Sequence, residues 1–265
     1  MGVAAAHVNS FVEFALIALG NSVANKNAEM TKGDRTLHTS IRRQAFARLI
    51  FIIENFEVDL LQYESLFNYI IGSELKLLEE QVQHEGNLAL KLCLALATSS
   101  FSRFLLTQNE HFLKALSTEK LSETNKEVLL DILTNVYGIG SEDMESDAPA
   151  VTGEENYDKL FQAIQKRITF DLAGRSRMGS RELGMIIKLT PKVHSTTLFD
   201  QVAKILVPHI KLANKMTAEL ILQLYKGMVS KLSKPLSYFA HISAQFGISK
   251  TLSMRNLLCE IVDEW

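Results

Sequence analysis

Nine basic residues offer the clearest chemistry in the sequence: Lys166, Arg167, Arg175, Arg177, Arg181, Lys211, Lys215, Lys250 and Arg255. Lysine and arginine hold phosphate through charge, and arginine adds a planar fork of donors that matches two phosphate oxygens. Arg175, Arg177 and Arg181 fall in one interhelical segment with Gly174 and Gly179, beside Lys166-Arg167. Lys211 and Lys215 occupy the corresponding joint of the next unit, and Lys250 and Arg255 that of the one after. Cations repeated at successive joints build a stripe, and a stripe can follow a nucleic-acid backbone. The competing reading is that they are solvated charges, favourable to the C-terminal dipoles of helices.

The rest of the charge is distributed unevenly. Up to Glu155 there are 12 Lys and Arg against 22 Asp and Glu; from Tyr157 onward there are 16 against 8, although the whole chain is only −2. Such a division predicts two partner surfaces, a basic half that meets RNA and an acidic half that meets protein.

Other reactive groups do not converge. His7, His38, His84, His111, His194, His209 and His241 are scattered without a metal-ligand spacing, so no metal and no cofactor is expected. Cys93 and Cys259 lie far apart in apolar runs and read as buried free thiols. Gly138-Ile139-Gly140-Ser141 follows a helical pattern rather than a strand and lacks the lysine of a phosphate cradle, so it reads as a helix stop. Asp143, Glu145 and Asp147 alternate without the glycine and terminal glutamate of a calcium loop. No nucleophile elbow is present, so neither an enzyme nor a small-molecule substrate is expected. Tyr225, Tyr238 and Phe239 have aromatic faces on which bases stack, but their helical spacing within apolar runs reads as core. No uncharged apolar run reaches the roughly 18 residues of a membrane span. Residues 1–30 show no signal peptide and no Arg-rich presequence, although a cleaved one could precede this numbering.

The elements that position these side chains read as helices throughout. Few Pro and Gly, and many Leu, Ala, Ile and Lys, favour helix. Ser180-Arg-Glu-Leu183 and Thr217-Ala-Glu-Leu220 open similar apolar runs 37 residues apart, and Ala203 and Ala240 repeat that interval. One helix series is expected at 40–53, 86–98, 124–136, 180–189, 217–229 and 253–264. A second series begins Leu-Phe or a variant of it, at Leu66-Phe67, Phe112-Leu113, Leu160-Phe161, Leu198-Phe199 and Leu236-Ser237. Ser40 is the expected N-cap of the helix over 39–54, with Ile41, Ala45, Leu49, Ile52 and Ile53 inward and Arg42 outward. Thr124 to Glu127 reads as a capping box, and Gly72-Ser73 as a break in the helix over 59–82.

The fold class predicted is all-α, an α-solenoid of about five to six stacked helical hairpins with a period near 37–48 residues. Residues 1–137 would be its acidic half, 138–155 an acidic loop and 156–265 its basic half. Over 157–264 the units of about 37 residues, with a polar-capped first helix and a second helix beginning Leu-Phe with an Ala near its middle, resemble degenerate organellar helical repeats. These are the heptatricopeptide and octotricopeptide repeats and the helical region of FAST-kinase-like and RAP-bearing proteins. The chain ends at Trp265 without a following α/β domain, so no nuclease-like activity is implied. The resemblance implies a mitochondrial protein bound to rRNA or mRNA, a subunit of a mitoribosome or an RNA-processing complex. The alternative is a HEAT- or armadillo-like adaptor that binds only protein, with a cytoplasmic location as the alternative to a mitochondrial one.

Overall fold

A computed structural model describes residues 2–24, 31–56, 58–79, 83–99, 101–119, 121–139, 154–173, 179–248 and 251–265. Among them all regular structure is helical. The chain divides into two compact units, Met1–Val151 and Thr152–Trp265.

The first unit holds α1 (Gly2–Ala24), α2 (Lys32–Asn55), α3 (Glu64–Glu79), α4 (Gln83–Ala97), α5 (Asn109–Leu116) and α6 (Glu123–Val136). Consecutive helices pair as three hairpins. Across hairpins α1 packs on α3 and α3 on α5, while α2 packs on α4 and α4 on α6. The result is two layers of helices with the core between them. The central α4 buries Ala89, Leu90, Leu92, Cys93, Ala95 and Leu96, as its nearly all-round apolar pattern requires.

The second unit repeats the scheme with α7 (Glu154–Ala173), α8 (Ser180–Leu189), α9 (Thr196–Leu206), α10 (Lys215–Met228), α11 (Phe239–Ile248) and α12 (Leu252–Asp263). Here α8, α10 and α12 stack in one layer. In the other α7 packs on α9, and α11 packs on the 3₁₀ turn Val207–Lys211 that extends α9. Within each unit the two helix series expected from the apolar spacing therefore occupy separate layers, the arrangement of an α-solenoid.

The Leu-Phe signature has a direct structural meaning. Phe67, Phe112, Phe161 and Phe199 are all fully buried. Phe161 and Phe199 meet edge to face with ring centroids 5.5 Å apart, so the residue that repeats in sequence touches its own counterpart in the next hairpin. The fifth member departs from this. Pro235 opens a 3₁₀ turn there, Leu236 is 63% exposed, and the inward residues of α11 are Ile242 and Gln245.

The 37-residue register also needs correction at its first step. α8 and α10 begin 35 residues apart, and their buried residues follow that offset: Leu183 with Ala218, Ile186 with Ile221, Leu189 with Leu224. Between α10 and α12 the interval is 37, which pairs Ile221 with Leu258 and Leu224 with Ile261. The letter match Ser180/Thr217 is thus two residues out of step with the buried face.

Several local expectations shift for similar reasons. The N-cap of α2 is Thr31, whose hydroxyl accepts the Asp34 N–H at 3.2 Å, and Ser40 lies inside the helix. Its inward face is Arg42, Ala45, Phe46, Leu49 and Ile52, with Ile41 half exposed. Burying Arg42 works because Glu74 of α3 pairs with it there. The cap of α6 is Ser122, accepting from Asn125 N–H at 3.3 Å, so Thr124 to Glu127 is already helix. α3 runs unbroken through Gly72, where Gln108 packs so closely that an added Cβ would lie 3.0 Å from its amide oxygen.

The helix stop at Gly138 is present in full. Gly138 has φ +61°, its N–H donates to Asn135 O at 3.2 Å, and Ile139 N–H donates to Thr134 O at 2.9 Å. This is a Schellman closure, and Ile139 buries its side chain as such a stop favours. The acidic run that follows, 140–153, lies outside the described residues. Cys93 is buried as expected, whereas Cys259 is exposed on α12.

Candidate functional site

The candidate cations separate into distinct groups once the helices are in place. Arg175, Arg177 and Lys250 lie outside the described residues. Lys166 is exposed on α7, but its neighbour Arg167 is 4% exposed. The Arg167 guanidinium donates to Asp171 Oδ1 from Nε at 3.0 Å and from an Nη at 2.6 Å, one helical turn on. It also lies 5.6 Å from the centroid of the Phe170 ring. A guanidinium held this way is a structural ion pair and leaves the phosphate-binding set. Arg181, in the first turn of α8, is half-buried, and Arg255 on α12 is exposed; each is engaged by a neighbouring group.

Lys211 and Lys215 are the pair that the fold brings together. Lys211 ends the 3₁₀ turn after α9, and Lys215 begins α10. Asn214 between them caps α10, its side-chain oxygen accepting Thr217 N–H at 2.9 Å. Both lysines are exposed and both line one cavity of about 380 Å³ walled by α10, α11 and α12. Neither makes an ion pair with a described residue. The positive end of α10 adds to their field.

Other lysines of this unit are committed elsewhere. Lys231 Nζ donates to the Thr190 carbonyl at 2.7 Å and sits 5.0 Å from the Phe199 ring centroid. Lys226 pairs with Glu260 at 2.6 Å, Lys159 with Glu155 at 2.8 Å, and Lys192 lies over the Tyr157 ring. By contrast Lys188, Lys204 and Lys234 are exposed and make no ion pair with a described residue. These three sit within helices or before a proline rather than at the joints where the sequence repeats its cations. Their signal was a polar-face position beside apolar neighbours, as Lys204 has beside Val202, Ala203 and Leu206.

The aromatic candidates divide in the same way. Tyr225 is fully buried, donates to the Pro235 carbonyl at 2.7 Å and accepts from Trp265 Nε1 at 3.2 Å. Burial raises its phenol above the ordinary value, and the Trp265 bond offsets part of that rise. Phe239 is 52% exposed, with its ring 5.2 Å from that of Trp265. Among the described residues no cluster of His, Cys, Asp or Glu could hold a metal ion, and no helix is long and apolar enough to cross a membrane.

This helical stack now has a lineage. Residues 3–265 match the family described as U3 small nucleolar RNA-associated protein 20, N-terminal. The chain belongs to this family. No curated protein matches it. The family corrects two expectations. The likeness to heptatricopeptide, octotricopeptide and FAST-kinase or RAP-type repeats does not hold, because hairpin period and a buried Leu-Phe report how helices stack, and unrelated solenoids share that requirement. The mitochondrial location, and the cytoplasmic alternative, give way to a family named for a nucleolar RNA.

Proposed function

We propose that this chain is a non-catalytic, helical-repeat component of a small nucleolar ribonucleoprotein, touching RNA with its second unit and protein with its first. The observation that carries the RNA side is the exposed pair Lys211 and Lys215, free of ion pairs with described residues on a chain of an RNA-associated family. Lys166, Lys188, Lys204 and Lys234 add exposed cations on the same unit. Phosphate contact by such residues is sequence-independent and releases counterions, so it supplies affinity and positioning rather than base choice.

The protein side has support of a different kind. The α1–α2 hairpin exposes Phe14 at 69%, Ile41 at 48% and Phe51 at 57%, and the half up to Glu155 carries the surplus of acids. An apolar face of this sort suits a protein partner, and negative surplus repels a phosphate backbone.

The test is binding of the full chain to single-stranded RNA across a salt series. Each phosphate contact contributes a slope of roughly 0.7 in log K against log salt. Reversing Lys211 and Lys215 to glutamate is expected to lower that slope by about 1 to 2 and weaken binding, with the thermal melt unchanged. Absence of RNA binding at low salt would refute direct contact and leave a purely protein-binding solenoid.

A further inference from the structure

The cavity beside Lys211 and Lys215 holds two polar groups that the fold leaves unused. Gln245 on α11 is 4% exposed, and its Nε2 is buried without a hydrogen-bond partner. Thr251, at the N-cap position of α12, makes no side-chain capping bond, and its hydroxyl is likewise buried without a partner. Both line the cavity. A buried donor without a partner is unfavourable, and a ligand that brings an acceptor to it gains that hydrogen bond. The remaining wall is apolar: Met254 is 6% exposed at its floor, while Ile248, at 64%, stands open.

Three features therefore meet at one place: two cations, an apolar wall, and an amide that offers both donor and acceptor. An inorganic anion could accept from the amide but would leave the apolar wall uncovered. A lipid tail or apolar side chain would leave the amide unpaired and the lysines idle. A nucleotide carries an anionic phosphate, a flat apolar face and a hydrogen-bonding edge in one body. The volume, about 380 Å³, lies within the range of small-ligand pockets.

We infer that this cavity takes a single unpaired nucleotide of a bound RNA strand, its base against Met254 and Ile248, its edge on the Gln245 amide and its phosphate toward Lys211 and Lys215. The inference rests on the RNA-binding reading above and adds to it a base-contacting subsite. Burying one face of a base against these apolar side chains is expected to contribute roughly tenfold in affinity.

The experiment compares the full chain on a single-stranded RNA and on the same strand with its bases replaced by abasic sites. The intact strand is expected to bind about tenfold more tightly. Gln245→Met keeps the volume and removes an unsatisfied amide, so it is expected to fold as well as the parent. It should lose most of that preference while keeping the salt slope. Lys211→Ala with Lys215→Ala should weaken both strands alike. In parallel, the Met254 methyl resonance of the full chain should shift on adding uridine or adenosine monophosphate. Equal binding of intact and abasic strands, or a preference that survives Gln245→Met, overturns the subsite and leaves RNA contact standing. No binding of either strand at low salt overturns both. A Met254 shift with a glutamate-rich peptide but with neither nucleotide assigns the cavity to a protein partner and overturns the inference.

Discussion

The unit through Val151 and the unit from Thr152 are built from the same three-hairpin, two-layer scheme, yet they place their buried arginine–carboxylate pairs differently. In the first, Arg42 of α2 and Glu74 of α3 form a buried pair that joins two helices. In the second, Arg167 and Asp171 pair within the single helix α7. A pair between helices fixes how one helix is rotated against another. A pair within one helix neutralises a side chain but leaves packing to the apolar residues. The surfaces differ in net charge: the chain up to Glu155 carries the surplus of Asp and Glu, while that from Tyr157 carries the surplus of Lys and Arg, among them the exposed Lys166, Lys211 and Lys215. Both units expose large apolar side chains, Phe14 and Phe51 in the first and Leu212 and Ile248 in the second, so charge rather than hydropathy distinguishes their surfaces.

The sharpest way to break this comparison is to remove one carboxylate from each pair. Glu74→Ala strands a buried guanidinium between helices and is expected to cost about 3–5 kcal/mol in urea unfolding. Asp171→Ala is expected to cost less, on the order of 2 kcal/mol, because the long Arg167 side chain can carry its head group to water from a single helix. Replacing Arg42 by Met together with Glu74 by Leu should recover most of the loss. Equal losses at Glu74 and Asp171 would erase the distinction between joining helices and neutralising one.

A second comparison lies inside the repeat. Phe199→Ala removes the ring that packs on Phe161 and is expected to cost about 3–5 kcal/mol. Leu236→Ala, at the position that the sequence pattern treats as its counterpart, is expected to change stability by less than about 0.5 kcal/mol, because that side chain is exposed. Chemical denaturation of the two variants checks this, and a large loss at Leu236 would restore the simple 37-residue register.

The smallest effect is a chemical one and costs no stability. Cys259 of the second unit is exposed, whereas Cys93 of the first is fully buried, and desolvation raises its thiol well above the ordinary range. A thiol reagent near neutral pH should label one cysteine in the folded chain and the second only on unfolding. Two rapid labels in the native protein would mean that α4 is not the closed centre of its unit.

Helical class, the assignment of helices to two series and the stop at Gly138 were all legible in the sequence. Each follows from local spacing: apolar residues recurring at helical intervals, a Leu-Phe at the start of one series, and a glycine free to take positive φ. Which face turns inward was less legible. Ile41 and Arg42 differ by one position, and hydropathy favours the isoleucine. Glu74, 32 residues away, reverses that choice by supplying the partner that makes burying arginine tolerable. The candidate site shows the same limit. Its cations were visible as lysines and arginines at helix joints, but the sequence could not tell that Arg167 is taken by Asp171 or that Lys211 and Lys215 share a cavity with Gln245.

Composition and periodicity by themselves determined that this chain is a stack of helical hairpins with its basic surplus in the second half. Tertiary structure decided which of those basic residues face water, which are consumed in ion pairs, and that an unsatisfied amide waits beside two of them. The reason is physical. A helix is specified by neighbours three and four residues apart, whereas the state of a charge is set by whatever the fold brings within a few ångströms of it, often from tens of residues away.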